Sequence, residues 1–300
     1  MSDDTHSIGS GGLTATIQAQ GAELCSLRDA GGTEFIWQAG EAWPRHAPLL
    51  FPIVGRLKND AFTHAGKTYR MTQHGFARDL RFDWVERTPA RCVLMLRDSE
   101  ATRAVYPFAF ELTACYSLDE TGLELTLTIA NTGRDVLPAS LGGHPAFNWP
   151  LQPGVAKEDY TLTFARAEPH PVRRLEGGLL RDAKEPSPVR GNLLPLSQSL
   201  FADDAVIFDR IESNSVRYAA AGQGPNVKAS WLEMSWSGFH QLGIWSKPSG
   251  APFLCIEPWH GHASPSDFDG ALDEKPGMMH LAPGSMKALS FRIRVGTHAV

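Results

Sequence analysis

In FAFELTACYSL, the residues Phe108, Phe110, Leu112, Ala114, Tyr116 and Leu118 alternate with more polar or smaller partners. That period of two belongs to a strand with one buried face. LELTLTIAN repeats it with Leu123, Leu125, Leu127 and Ile129, and the intervening DETG, ending in Gly122, predicts a hairpin. Further strands are predicted at LTATIQ, EFIWQ, RCVLMLR, YTLTF, AVIFD, VRYAA, WLEMSW, QLGIW, FLCIEP and LSFRIRV. No dozen-residue stretch keeps a 3.6 period, and 28 glycines and 21 prolines punctuate the chain throughout. The pattern predicts an all-β protein, a large antiparallel β-sandwich with few short helices. There is no short internal repeat. The stretch from Pro169 to Pro195 lacks apolar alternation and reads as a long excursion between strands. Strands of the same character resume after it, so one domain spanning 1–300 is expected.

Composition narrows the function classes. The chain has 300 residues, 42% of them hydrophobic, which is enough for a large core. Net charge is -5 and the basic residues are scattered, so neither nucleic acid nor another long polyanion is expected as a partner. The densest basic run, VRRLEGGLLR around Arg173 and Arg174, is diluted by Glu176 and glycines and reads as a solvated loop. MSDDTHSIGSGG has no apolar segment of a leader, and no run approaches the roughly 20 apolar residues that span a bilayer. A cytoplasmic protein that does not enter membranes is expected, a monomer or weak dimer. Cys25, Cys92, Cys115 and Cys255 are widely spaced without a CxxC pair, which predicts buried free thiols.

Four stretches crowd polar residues among Gly, Pro and aromatics: PLLFPIVGRLKND (Pro48 to Asp60), QHGFARD (Gln73 to Asp79), GGHPAFNWP (Gly142 to Pro150) and CIEPWHG. In the last, Glu257 ends the apolar run PFLCI, where a carboxylate leaves the sheet edge for a cleft, and Pro258 and Trp259 stop the strand and supply an aromatic face. In GGHPAFNWP, Gly142 and Gly143 let the backbone bend and Pro145 stiffens its exit, so the His144 ring is aimed rather than packed. Aromatic faces beside a few fixed donors and acceptors suit a sugar. Each residue alone has a plainer reading: Glu257 as a solvated carboxylate, His144 as a turn donor, Arg56 as an ion-pair partner, His74 as a turn cap. The combination carries the sugar reading.

APLLFPIVGRL, QHGFAR, LGGHPAFNWP and CIEPWHG occur in an order and spacing that resemble the aldose 1-epimerase (galactose mutarotase-like) superfamily, most of all its LacX-like branch. The resemblance runs from about Glu23 to Val295. It implies a twisted β-sandwich with an open sugar cleft and interconversion of the α and β anomers of an aldose without any cofactor. Ring opening removes the proton of the anomeric hydroxyl and delivers one to the ring oxygen. It therefore needs a base and an acid, expected on different sides of the ring, each contributing about 10²- to 10⁴-fold. The resemblance makes Glu257 the base and His144 the acid, and an imidazole with an ordinary pKa of about 6.5 can supply that proton near neutrality. It also implies that Arg56 and His74 donate to sugar oxygens, with His74 near the ring oxygen and a candidate partner in acid catalysis. An acidic residue before the AVIF strand holds sugar hydroxyls: Asp204 matches best, with Asp203 adjacent and Asp209 a weaker rival. Arg78 of HGFAR is a further cleft residue.

Other chemistries fit less well. His260 and His262 of HGH have the spacing of a strand-borne metal pair, but the segment reads as a loop with no Glu three or four residues on, and no metal is expected. AAGQGPN lacks the strand-to-helix setting of a phosphate cradle and reads as a turn. Glycoside hydrolysis needs two carboxylates flanking a bond, and no second one lies in a matching motif. A non-catalytic sugar-binding or sensing protein is the alternative of another class, distinguished by the presence of both His144 and Glu257. Galactose, glucose, another aldose and a hexose phosphate all stay open, since Arg56, Arg78 or a loop arginine serves a phosphate as readily as a hydroxyl.

Overall fold

In the computed structural model, residues 4–220 and 228–299 are described, with strands taking 48% of the chain and helices 8%. The predicted period-two segments assemble into two large antiparallel sheets. The larger has nine strands in the order Leu193–Pro195, Tyr160–Phe164, Ser215–Ala220, Lys228–Ser237, Met286–Ala299, Gly122–Asn131, Phe110–Asp119, Arg91–Arg97 and Asp83–Arg87. The smaller has six strands. Val206–Phe208, Gln241–Trp245, Phe253–His260, Leu141–Gly143 and Leu49–Leu50 lie side by side, and Ala146–Asn148 pairs with the central Phe253–His260 strand. The predicted hairpin forms with Asp119 opposite Gly122, and Leu123, Leu125, Leu127 and Ile129 are all buried.

Both sheets press one face into a common core, where Leu125, Leu127 and Phe291 of the larger meet Leu242, Leu254 and Ile256 of the smaller. The other face of the smaller sheet is also covered. Phe253 and Cys255 join a cluster with Trp37, Trp43 and Trp245, while Trp259 joins Leu50, Val54, Leu180 and Ile207. Burial on both faces explains why PFLCI is a continuous apolar run rather than an alternating one.

Several expectations need correction. EFIWQ forms only single bridges, Arg28 to Glu34 and Ile36 to Phe147. The Glu34 side chain intervenes: its Oε1 accepts from the Leu27 and Ile36 amides at 2.9 Å each, replacing a regular ladder. The polar N-terminus supplies a strand, Thr5–Ser10, which joins Leu13–Gln18 and Glu23–Arg28 in a three-stranded sheet. An α-helix at Glu100–Val105, in line with the few short helices expected, is set by a capping box between Ser99 and Thr102. The strand carrying Glu257 does not stop at Pro258 but runs to His260, with Pro258 opposite Leu242. Pro258 is tolerated there because its other neighbour is the stretch 143–145, where pairing to the sheet is interrupted.

VRRLEGGLLR, within the excursion after Pro169, is not a solvated loop. It forms a small hairpin of Leu175–Glu176 and Leu179–Leu180, pairs its Arg173 backbone with Ile207, and buries Arg174. It walls one side of the smaller sheet's outer face. The AAGQGPN turn lies outside the described residues from Ala221 onward. Among the described residues the four cysteines are free, with Cys92 and Cys255 buried and Cys25 and Cys115 partly so. No helix among them is long and apolar enough to cross a membrane.

Candidate active site

One strand register brings the key pair together. Gly142 pairs with Trp259 and Ala146 with Cys255, so His144 sits opposite Glu257. The His144 amide donates to Pro48 O at 3.0 Å and Pro145 O accepts from Ile256 N at 3.3 Å, which ties the interrupted segment to both neighbours. His144 Nε2 lies 3.2 Å from Glu257 Oε2, and both side chains are buried. On Glu257's other flank the paired residue is Gly243, which adds no side chain. Glu257 is therefore in mid-strand at the centre of the sheet, not at its edge. Its outward alternation with Leu254 and Ile256, rather than a strand end, aims the carboxylate.

The glycines act through space, not through a bend. Gly142 and Gly143 are regular strand residues, and neither has a positive φ. A Cβ on Gly142 would stand 2.7 Å from the Trp259 indole, one on Gly243 2.4 Å from the same ring, and one on Gly143 2.6 Å from Phe291. Gly142 and Gly243 thus clear a slot between two strands for Trp259.

A cavity of about 330 Å³ opens on this pair, lined among others by Trp43, His74, Arg78, Asp204, Trp245 and Trp259. Trp43 stacks on the His144 ring at 5.0 Å between centroids, and Trp245 meets it edge-on at 5.7 Å. His74 approaches His144 at 5.6 Å, nearly perpendicular. The turn of QHGFAR sets His74: its φ is +67°, and Gly75 follows at +72°, where a Cβ would fall 2.2 Å from Phe51 O. The Gly55 amide donates to His74 Nδ1 at 3.1 Å, so in the neutral ring the proton sits on Nε2. Asp204, at φ +65°, lines the cavity, and buried Arg174 donates to the carbonyls of Leu200 and Asp204 at 3.0 and 3.4 Å. Arg78 donates to Gln73 O at 2.6 Å, and its buried Nε has no hydrogen-bond partner.

The remaining expected residues lie elsewhere. Arg56 does not line this cavity: its guanidinium is bidentate to Asp60 at 2.7 and 2.6 Å and reaches Gly177 O at 3.1 Å. Asp203 faces Arg181 at 3.4 Å, and Asp209 faces Arg173 and Lys184 at 3.5 and 3.4 Å, so of the three aspartates Asp204 is the one at the cavity. His260 and His262 do not form a pair. His260 approaches Gly238 O at 3.4 Å and His262 lies 2.8 Å from Ala263 O. Sequence reasoning missed Trp43, Trp245 and Leu175. Only the aromatic and proline content of EAWPRH offered a hint of the first, and Leu175 reaches the cavity because the excursion folds back.

Burial dominates the electrostatics. It raises Glu257 well above the ordinary carboxyl range, reinforced by Asp204, and lowers His144, reinforced by Arg78 and Arg45. His74 is pushed down by burial, then by His144, Arg78 and Arg45. Both shifts favour the proton on Glu257 over His144, and so the neutral pair over the ion pair. His144 Nδ1 and Arg78 Nε are buried beside the cavity without hydrogen-bond partners. A buried polar group left unpaired costs about 1–3 kcal/mol, so these two atoms favour a ligand rich in donors and acceptors.

Comparison with known proteins agrees with this architecture. Residues 4–271 match the family model described as aldose 1-epimerase. The plasmid and chromosomal LacX proteins of Lactococcus lactis subsp. lactis are each 31% identical over 294 residues, covering 94% of this chain and 96% of theirs. The X-ray structure of a galactose mutarotase related enzyme from Lactobacillus acidophilus superposes with a TM-score of 0.88 at 37% identity, covering 97% of both chains. A galactose mutarotase-like protein from Lactobacillus casei gives the same TM-score at 30% identity, covering 97% of this chain and 100% of that one. With the motifs, the galactose mutarotase-like sandwich and these matches in agreement, the chain belongs to the aldose 1-epimerase family.

Proposed function

We propose that this protein is a mutarotase that interconverts the α and β anomers of a free aldose such as galactose or glucose, with Glu257 and His144 as its proton-transfer pair. The observation that carries the reading is the cross-strand contact of these two side chains at the cavity wall. The anomeric hydroxyl and the ring oxygen are both bonded to C1, so a base and an acid that serve them belong side by side.

In the closed sugar the step starts from the charge-separated pair, its proton moved from Glu257 to His144: Glu257 takes the proton of the anomeric hydroxyl while His144 gives one to the ring oxygen, and the C1–O5 bond breaks. The pair is then a carboxylic acid and a neutral imidazole, the form that burial favours, alongside the open-chain aldehyde. Rotation about C1–C2 presents the other carbonyl face. Return of both protons closes the opposite anomer. His74, held with its proton on Nε2, donates to a sugar oxygen, and Asp204 accepts from hydroxyls. Trp43, Trp245 and Trp259 supply apolar faces for the C–H surfaces of the ring.

Arg78 favours a second reading. Its Nε is buried without a hydrogen-bond partner, and burial, reinforced by Arg45, lowers its pKa, so a hexose phosphate is the alternative substrate. An NMR exchange screen across free and phosphorylated aldoses separates the two. Acceleration of a free aldose, lost by about 10²- to 10⁴-fold in Glu257→Gln with little change in KM, is the expected outcome. No acceleration of any sugar, with binding retained, would instead identify a sugar-binding protein.

A further inference from the structure

The strand that carries Glu257 places a third metal-binding side chain beside the pair. Cys255 and Glu257, two apart, project from the same face of Phe253–His260, and His144 faces them from the paired segment. One donor atom from each of His144, Cys255 and Glu257 lies within 4.8 Å of the other two, and all three residues are buried. In tetrahedral zinc sites, bonds of roughly 2.0–2.3 Å put ligand atoms about 3.3–3.6 Å apart, and the 3.2 Å between His144 Nε2 and Glu257 Oε2 already approaches that edge. His144 Nδ1 has no hydrogen-bond partner, and the contact an ion would replace is the 3.2 Å approach of His144 Nε2 to Glu257 Oε2. His144 and Glu257 also line the cavity, which gives an ion its entry path.

The other cluster of this kind among the described residues, Glu23, Cys25 and His46, is already committed. Glu23 Oε1 accepts from the His46 and Ala47 amides at 2.9 Å each, and its Oε2 accepts from Gln18 at 2.8 Å. An ion there would displace structural hydrogen bonds.

We propose that His144, Cys255 and Glu257 form an inhibitory site for a thiophilic divalent cation such as zinc, bound in place of the sugar at the proton-transfer pair. An imidazole, a thiolate and a carboxylate make a mixed N, S and O set of the kind zinc accepts, and the soft sulfur selects against magnesium and calcium. On binding, the thiol proton and any proton on the carboxyl pass to solvent, and the metal–ligand bonds replace them. Metal capture stands independently of the mutarotase reading. Inhibition rests on it, because it assumes that the pair turns sugar over.

Cobalt reports the site without reference to activity, since a cysteine thiolate bound to it gives a near-ultraviolet charge-transfer band. The wild type titrated with Co²⁺ is expected to develop that band at one equivalent and to lose it on adding Zn²⁺ or a saturating aldose. Cys255→Ala is expected to abolish the band while anomerisation without metal stays near the wild-type rate and its sensitivity to Zn²⁺ falls at least about tenfold. Cys255→Ser serves if the alanine variant misfolds. No band, or a band that persists in both variants, overturns the site. A Cys255-dependent band that saturating sugar leaves unchanged overturns the competition. If the band behaves as expected but no sugar is turned over, the metal site stands and the mutarotase reading fails.

Discussion

His144 and Glu257 face each other across one antiparallel strand pair, Nε2 3.2 Å from Oε2, although they come from distant parts of the chain. In the proposed reaction they work together, Glu257 as the base and His144 as the acid.

His144→Asn is expected to slow anomerisation about as much as Glu257→Gln, by about 10²- to 10⁴-fold, since either loss interrupts the same relay. The double variant should be little worse than each single one, as residues that act together are not additive. Polarimetry of all three variants checks this. Independent, multiplying losses would separate the two roles.

Gly243→Ala tests the slot for Trp259. The new methyl would stand 2.4 Å from the indole, with strand backbone on either side, so the ring must move. Overpacking of this sort costs about 1–3 kcal/mol. Lower thermal stability together with a raised KM is the expected result, and a variant with unchanged melting and binding would show that the sheet yields freely.

Arg56 and Arg78 should part company. Arg56 is committed to Asp60 and Gly177 outside the cavity, so Arg56→Ala is expected to leave KM nearly unchanged. Arg78→Ala removes a buried charged donor, and hydrogen bonds of that type are worth about 1.5–3 kcal/mol, which corresponds to roughly a 10- to 100-fold rise in KM. Steady-state kinetics on the two variants measure the difference, and the reverse ranking would restore Arg56 to the sugar.

Lys275 offers a pH-dependent test of the fold. It lines a separate cavity of about 200 Å³, is buried, and donates to His262 O at 2.5 Å and Pro276 O at 3.3 Å. Burial pulls its ammonium down from 10.5 to about 7. Between those values the unfolded chain holds the proton that the folded chain has released, so this residue makes stability rise with pH. The slope is at most roughly 1.4 kcal/mol per pH unit. Burial raises the thiols of Cys25 and Cys92 to about 12 and opposes the trend in more alkaline solution. Urea unfolding from neutral to mildly alkaline pH should therefore show a positive slope in the wild type relative to Lys275→Met, and parallel curves would place a charged lysine in the fold.

The alternation of FAFELTACYSL and LELTLTIAN was enough to read strands, a hairpin and an all-β fold, because a period of two is a local property of backbone geometry. His144, His74, Asp204, Arg78 and Glu257 were legible as candidates because their motifs are local too. What those motifs did not contain is register. Glu257 reads as a strand end when Pro258 follows it, yet it lies in mid-strand, since only the pairing partner decides whether a missing N–H matters. Gly142 reads as a hinge and is a clearance for Trp259, a neighbour that exists only across the sheet.

The sequence alone determined which residues alternate, which motifs hold the candidate His144 and Glu257, and roughly where the chain turns. Tertiary structure alone decided that His144 pairs with Glu257, that Arg56 turns to Asp60, that Trp43 and Leu175 wall the cavity, and that Cys255 stands beside His144 and Glu257. The division has a physical cause: side-chain direction along a strand repeats every two residues, whereas the partner across a strand is set by the packing of both sheets around one core.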